Sequence, residues 1–193
     1  MNHLVVYSHP NPKSFNHAIL DVLEQSLIEQ GHDIQVRDLY ALDFDPVLSA
    51  EDLEAAQRKE YADDILAEQK LVKWADVITM ICPIWWGGLT SSLRGYIDRV
   101  FMSGFAYDFG PGGLEKLLTG KKLVLINTMG VPYDVYEQSG MLKSITQTLD
   151  ECVADFTGIE VAAHKYFGNV VNCSREERLA MLEEVKELAA RFS

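Results

Sequence analysis

The sequence predicts a doubly wound α/β domain: a five-stranded parallel sheet in the order 2-1-3-4-5, with helices on both faces. Three observations predict it. Short β-branched apolar runs alternate with helical segments along the entire chain, the pattern of right-handed βαβ units. The run VITMIC (77–82) is apolar at every position, as a central parallel strand covered on both faces must be. The chain has 193 residues, enough for one well-buried domain and short for two, and no linker, repeat or low-complexity tract divides it. A single domain spanning 1–193 follows.

The elements follow in order. His3 to Tyr7 reads as a buried strand. Ser14 to Gln30 has helical spacing, with Phe15, Ala18, Ile19, Val22, Leu23 and Leu27 on one side, and Gly31 ends it. Asp33 to Asp38 alternates with Ile34 and Val36 inward, a second strand. A loop with Pro46 leads to a charged helical stretch from Glu51 to Trp74, broken near Tyr61 to Asp64. Val77 to Cys82 is the third strand. Pro83 to Thr90 is a turn rich in Trp and Gly. Ser91 to Phe101 is a helix with the stripe Leu93, Ile97, Val100 and Phe101. Ser103 to Gly120 holds five glycines and three aromatics and reads as irregular. Leu123 to Thr128 is the fourth strand, Met129 to Gly140 a loop, Met141 to Phe156 a helix and Ile159 to Phe167 the fifth strand. Ser174, with Glu177 three residues on, forms a capping box that opens the last helix, through Phe192.

Composition narrows the function. The formal net charge of −12 opposes binding to nucleic acids and anionic membranes. No apolar run approaches the roughly 20 residues of a bilayer span. MNHLVVYSHP has neither the basic start nor the cleavage site of a signal peptide, so a cytoplasmic location is expected. Cys82, Cys152 and Cys173 lie far apart and form no zinc or dithiol motif, so free thiols and no metal are expected.

In a sheet of this order the ligand sits outside the carboxyl ends of the strands, at the switch between strands 1 and 3. That selects three loops: 8–16, 83–91 and 128–140. In YSHPNPKSFNHA, a helix start with unpaired N–H groups meets His9, Ser14 and Asn16, a set suited to phosphate. His9 would become cationic if a phosphate raised its pKa. The simpler reading makes Ser14 an N-cap and His9 a surface residue. In PIWWGGLTSSL, Trp85 and Trp86 offer planar apolar walls and the adjacent glycines allow close backbone approach; the competing reading packs the tryptophans into the core. In TMGVPYDVYEQSG, Thr128 and Gly130 can meet a polar ring edge, and Tyr133 and Tyr136 can donate hydrogen bonds; they could equally be surface tyrosines. GxGxxG and GxxxxGK[ST] are both absent. A phosphate at the first loop and a flat ring at the other two fit a flavin better than a sugar phosphate or an acyl group.

These segments resemble the flavodoxin-like NAD(P)H:quinone oxidoreductases, the group containing mammalian DT-diaphorase and many bacterial NAD(P)H dehydrogenases. The carriers are the strand followed by YSHPNPKSFNHA, then CPIWWGGLTSSLRGYIDRVF, GFAYDFGPGG followed by LTGKK, and the NTMG turn. The resemblance implies bound FAD or FMN, NAD(P)H as co-substrate and a quinone-like acceptor, with ping-pong kinetics. It assigns His9, Ser14, Phe15 and Asn16 to the phosphate loop. Pro83, Ile84, Trp85 and Trp86 would lie along the isoalloxazine, with Trp86 also walling the nicotinamide slot. Thr128, Met129 and Gly130 would meet the pyrimidine end, where backbone N–H groups near Met129 and Gly130 would stabilise developing negative charge. Tyr136 matches a tyrosine that assists hydride transfer in the mammalian enzymes. The histidine that accompanies it there is missing from YEQSG, which leaves Tyr133 as a rival. A flavodoxin-type electron carrier is an alternative, although the T/S-x-T-G-x-T phosphate loop is absent. A regulatory subunit of an ion-efflux system is another. Finally, Phe105, Tyr107 and Phe109 alternate within Phe101 to Gly113, which predicts an exposed aromatic patch. Two copies would bury it as a homodimer, with Phe105 and Tyr107 completing the partner's substrate slot.

Overall fold

The computed structural model describes residues 1–192. Five parallel strands form the central sheet: β1 (Asn2–Tyr7), β2 (Asp33–Asp38), β3 (Val77–Pro83), β6 (Lys122–Thr128) and β7 (Glu160–Phe167). Their order is β2-β1-β3-β6-β7, which is the predicted 2-1-3-4-5 of the long strands. β3 is buried at every position, because neighbours flank it on both edges and helices cover both faces.

Strand alternation divides the core in two. Val5, Tyr7, Val77, Ile81, Val124 and Ile126 face α1 (Phe15–Glu29) and α7 (Arg175–Ala190). Leu4, Val6, Ile78, Met80, Cys82, Leu123 and Leu125 face the opposite layer. That layer holds α3 (Asp63–Trp74), α4 (Ser91–Val100), α6 (Met141–Thr146) and the nine-residue π-helical turn Gln147–Asp155 that continues α6. α2 (Ala50–Arg58) lies outside it. Ser174 caps α7, and the box with Glu177 is formed in both directions. The expected break in the long charged segment is real, and it separates α2 from α3. Among the described residues no helix is long and apolar enough to cross a membrane.

Two segments read as irregular contain structure. Within 103–120, β4 (Tyr107–Gly110) and β5 (Gly113–Lys116) make an antiparallel hairpin. Its strands are short and mostly exposed, so glycine density masks any alternation. Within 129–140, α5 (Tyr133–Gln138) buries no residue, so it carries no apolar stripe to read.

The predicted aromatic patch is not formed as expected. Phe105 is only 5% exposed and belongs to the core of its own subunit. It precedes β4 in a turn, where Phe105 and Ala106 both donate to the Met102 carbonyl, so strand alternation does not yet apply to it. Tyr107 is half-buried edge-to-face against Phe156, with ring centroids 4.9 Å apart. Of the three, only Phe109 is exposed.

Candidate active-site cleft

The three selected loops meet at the carboxyl ends of β1, β3 and β6, and a fourth joins them from the end of β7. They enclose an open cleft of about 490 Å³, within the range of small-molecule and cofactor sites.

The first loop holds its own shape. Asn11 donates its N–H to His9 Nδ1 (3.0 Å), Lys13 donates to Asn11 Oδ1 (2.9 Å), and Ser14 donates to the Asn11 carbonyl (3.1 Å). Since His9 Nδ1 accepts, the neutral ring carries its proton on Nε2. Burial pushes the His9 pKa down, so without a bound anion it is a neutral donor and not a cation. Ser14 is the N-cap of α1, accepting from His17 N–H, and it also lines the cleft. Both readings of Ser14 therefore describe the same geometry. The first turn of α1 contains no acidic residue, so nothing there offsets its positive end.

The second loop is a tight hairpin. Trp85 and Gly88 exchange two backbone hydrogen bonds of 3.0 Å around Trp86 and Gly87, whose φ values are +53° and +74°. Positive φ at both central residues matches the twist of a two-residue turn. For a bulky aromatic it is a strained conformation, the kind held at ligand sites. Trp86 is fully solvent-exposed and Trp85 nearly half so, hence neither is a core residue. Trp85 meets the His9 ring edge-on at 5.8 Å.

The third loop is tied to the first. Asn16 is buried, and its Nδ2 donates to Thr128 Oγ1 (2.9 Å). Ile84 N–H donates to the Thr128 carbonyl (2.8 Å), which joins the second loop to the same residue. His9, Ser14, Phe15, Asn16, Pro83, Ile84, Trp85, Trp86, Thr128 and Gly130 all line the cleft. Met129 does not: it is buried, and its N–H is taken by the Phe167 carbonyl at 2.8 Å, so it cannot serve a ligand as expected. Tyr136 lines the cleft, whereas Tyr133, at the exposed start of α5, does not. Phe105 and Tyr107 are likewise absent from its walls, and Tyr107 lines a separate cavity.

Four lining residues escaped sequence reasoning: Val131, Val170, Val171 and Arg178. Three of them belong to the loop after β7 and to α7, outside the strand 1/strand 3 switch on which the reading relied. Arg178 donates from Nη2 to the Val170 carbonyl (3.1 Å) and directs Nε at Cys173 Sγ (3.2 Å), which brings a cation to the cleft of an acidic chain. Its only sequence signal is a basic residue one turn into the final helix. Among the described residues no group of three or more His, Cys, Asp or Glu could hold a metal ion.

A family profile described as flavodoxin-like fold matches residues 1–191. The chain belongs to this family. Within the flavodoxin-like proteins, the chain is 37% identical over 184 residues to an uncharacterized NAD(P)H oxidoreductase of Haemophilus influenzae, covering 95% of this chain and 91% of that one. It is 32% identical over 200 residues to human ribosyldihydronicotinamide dehydrogenase [quinone], covering 93% and 86%. The solved structure of an NAD(P)H:quinone oxidoreductase from Methanothermobacter marburgensis superposes with a TM-score of 0.87 at 25% identity, covering 98% of this chain and 95% of that one.

Proposed function

We propose that this chain is a flavin-dependent oxidoreductase that passes a hydride from NAD(P)H to a quinone-like acceptor. The observation that carries the reading is the cleft itself. One wall is an uncompensated helix start with a neutral His9 donor, and the facing wall is an exposed tryptophan hairpin. The names of the relatives support the same activity. FMN or FAD, when bound, would accept the hydride and pass it on. The residues present fit such a group. The N-terminus of α1, His9 Nε2–H and Arg178 supply donors for phosphate, and Trp85 and Ile84 supply an apolar surface for a ring. Gly130 leaves room for close approach, since a Cβ there would meet only a Val171 methyl at 3.5 Å. Tyr136 is the phenol placed to donate to a bound ring, and Trp86 stands at the rim where a second planar molecule would enter. A single open slot used in turn by nicotinamide and acceptor leads to ping-pong kinetics.

We also propose a homodimer. A second cavity, about 580 Å³, lies between α2, α4, Tyr107 of β4 and the end of the π-helical turn, and exposed Leu48 and Leu53 line it beside Phe101 and Met102. An apolar surface of this kind is what a two-fold interface covers. The acceptor reading is tested by incubating the purified protein with FMN or FAD and following NAD(P)H oxidation with a soluble quinone. Quinone-dependent turnover is expected. Tyr136→Phe should slow flavin reduction more than it weakens flavin binding. A protein that retains neither flavin, or that stabilises a one-electron flavin state without oxidising NAD(P)H, would refute the enzyme reading, the latter in favour of an electron carrier.

A further inference from the structure

A polar group set lies directly beneath the cleft, on the face of the sheet otherwise filled by apolar side chains. Asn127, fully buried on β6, donates from Nδ2 to the Cys82 carbonyl (3.1 Å) and sits 3.4 Å from Cys82 Sγ. Its Oδ1 lies 2.8 Å from His164 Nε2. His164, on β7, has its side chain 6% exposed, and its Nδ1 lies 2.8 Å from Asp150 Oδ1. Asp150 comes from the π-helical turn, a widened helical geometry that recurs at functional sites.

Donor and acceptor accounting determines the proton. The contact with the Cys82 carbonyl needs the amide nitrogen of Asn127 on that side, so its oxygen faces His164. Nε2 must then donate. Nδ1 faces a carboxylate oxygen, so the Asp150–His164 pair must place a second proton between them. The Tyr166 hydroxyl is also 3.3 Å from Nδ1, but Tyr166 stacks on the imidazole at 4.2 Å, which puts its hydroxyl out of the ring plane; it bonds instead with Thr146 Oγ1 at 3.0 Å. Burial, the larger effect, holds the His164 pKa below the ordinary histidine value, and the Asp150 carboxylate opposes it. The other titratable neighbours, Tyr166 and Cys82, are each pushed up to about 12 by burial, so neither changes charge across the neutral range.

We propose that Asp150 and His164 position the cleft floor through Asn127, and do so only while the pair holds its extra proton. Loss of that proton leaves Nε2 bare against Asn127 Oδ1. The amide must then move away or turn its oxygen toward the Cys82 carbonyl, and either way it gives up one contact. Asn127 and Cys82 immediately precede Thr128 and Pro83, which are paired in register across β3 and β6 and form the floor of the cleft. The three residues touch no ligand; they are positioning residues. The inference rests on the flavin reading above for its consequence, a flavin affinity that falls as pH rises.

The test titrates FMN and FAD by fluorescence quenching against wild type, His164→Gln, His164→Leu and Asp150→Asn between about pH 5 and 9. Imidazole ¹⁵N NMR of each ligand-free protein runs alongside. Wild type should weaken about tenfold as the pair loses its proton, the size expected for one lost buried hydrogen bond. His164→Gln, which donates to Asn127 without titrating, should bind tightly with a flat profile. His164→Leu should bind weakly with a flat profile. In Asp150→Asn the midpoint should move to lower pH, because the carboxylate that favours the imidazolium is gone. A wild-type slope retained in His164→Gln would overturn the proposal. So would NMR showing Nε2 unprotonated throughout. If no variant binds either flavin, the functional reading fails separately. The positioning role is then judged by whether the Asn127 amide and Trp85 indole signals follow the His164 titration, and signals that stay still would overturn it.

Discussion

Asn16 lines the cleft although it is 3% exposed, because its amide is drawn inward to Thr128. Asn16→Leu would leave Thr128 Oγ1 without this buried partner. Stability should fall by about 1–3 kcal/mol and flavin affinity by about ten- to a hundredfold. Urea midpoints and flavin titration check both, and an unchanged midpoint would show that the Asn16–Thr128 bond contributes nothing to the fold. His3 presents a different residue-scale case. It is 1% exposed, its ring nitrogens have no hydrogen-bond partner among the described residues, and His32 lies 4.8 Å from it. Burial, reinforced by the charge of His32, lowers its pKa from 6.5 to about 4. A folded pKa below the unfolded one means no penalty above pH 6.5. As pH falls toward 4 the unfolded chain binds the proton first, and stability drops by about 3 kcal/mol once pH is below 4. His3→Leu should show a correspondingly shallower acid loss in denaturant midpoints at pH 7 and pH 4; parallel losses in the two proteins would exclude His3 as the source.

At the scale of elements, α4 shows how a helix can be committed to a loop distant in sequence. A Cβ at Gly95 would stand 2.1 Å from the Pro46 carbonyl oxygen and 2.5 Å from the Pro46 Cα, so the loop after β2 rests directly on the helix backbone. One turn on, buried Arg99 donates to Asp52 (2.9 Å), to Asp64 (2.8 Å) and to the Asp45 carbonyl (3.0 Å), clamping α2, α3 and that loop together. Gly95→Ala should therefore destabilise the protein by about 1–3 kcal/mol, where an exposed helix position would gain from the change. Thermal unfolding measures it, and an equal or higher Tm would mean that the loop yields freely. The same helix was legible in the sequence from Leu93, Ile97, Val100 and Phe101, because one of its faces is apolar. α5 was not, since it buries nothing, and neither was the β4–β5 hairpin, whose exposed short strands lack a two-sided pattern.

At the scale of the molecule, the exposed leucines around the second cavity lead to a definite expectation for assembly. Sedimentation at micromolar concentration should give a dimer, and Leu53→Glu should shift it toward monomer. A wild-type monomer with full activity would rule out a shared slot. The order of the sheet and the three loops that line the cleft could be read from the chain alone, because strand–helix alternation, right-handed crossovers and burial of β3 on both faces leave few topologies open. His9, Ser14, Phe15, Asn16, the PIWW segment, Thr128, Gly130 and Tyr136 were readable for the same reason: each lies in or near a loop at a strand's carboxyl end. The sequence by itself thus determined the fold and most of the cleft's lining. Tertiary structure alone decided the rest: that Phe105 turns inward, that the Met129 N–H is already taken, that Arg178 reaches the cleft, and that Asp150, His164 and Asn127 meet beneath it. Periodicity reports which face of an element is apolar, and these outcomes depend instead on which polar atoms from distant segments come within hydrogen-bond reach once the layers pack.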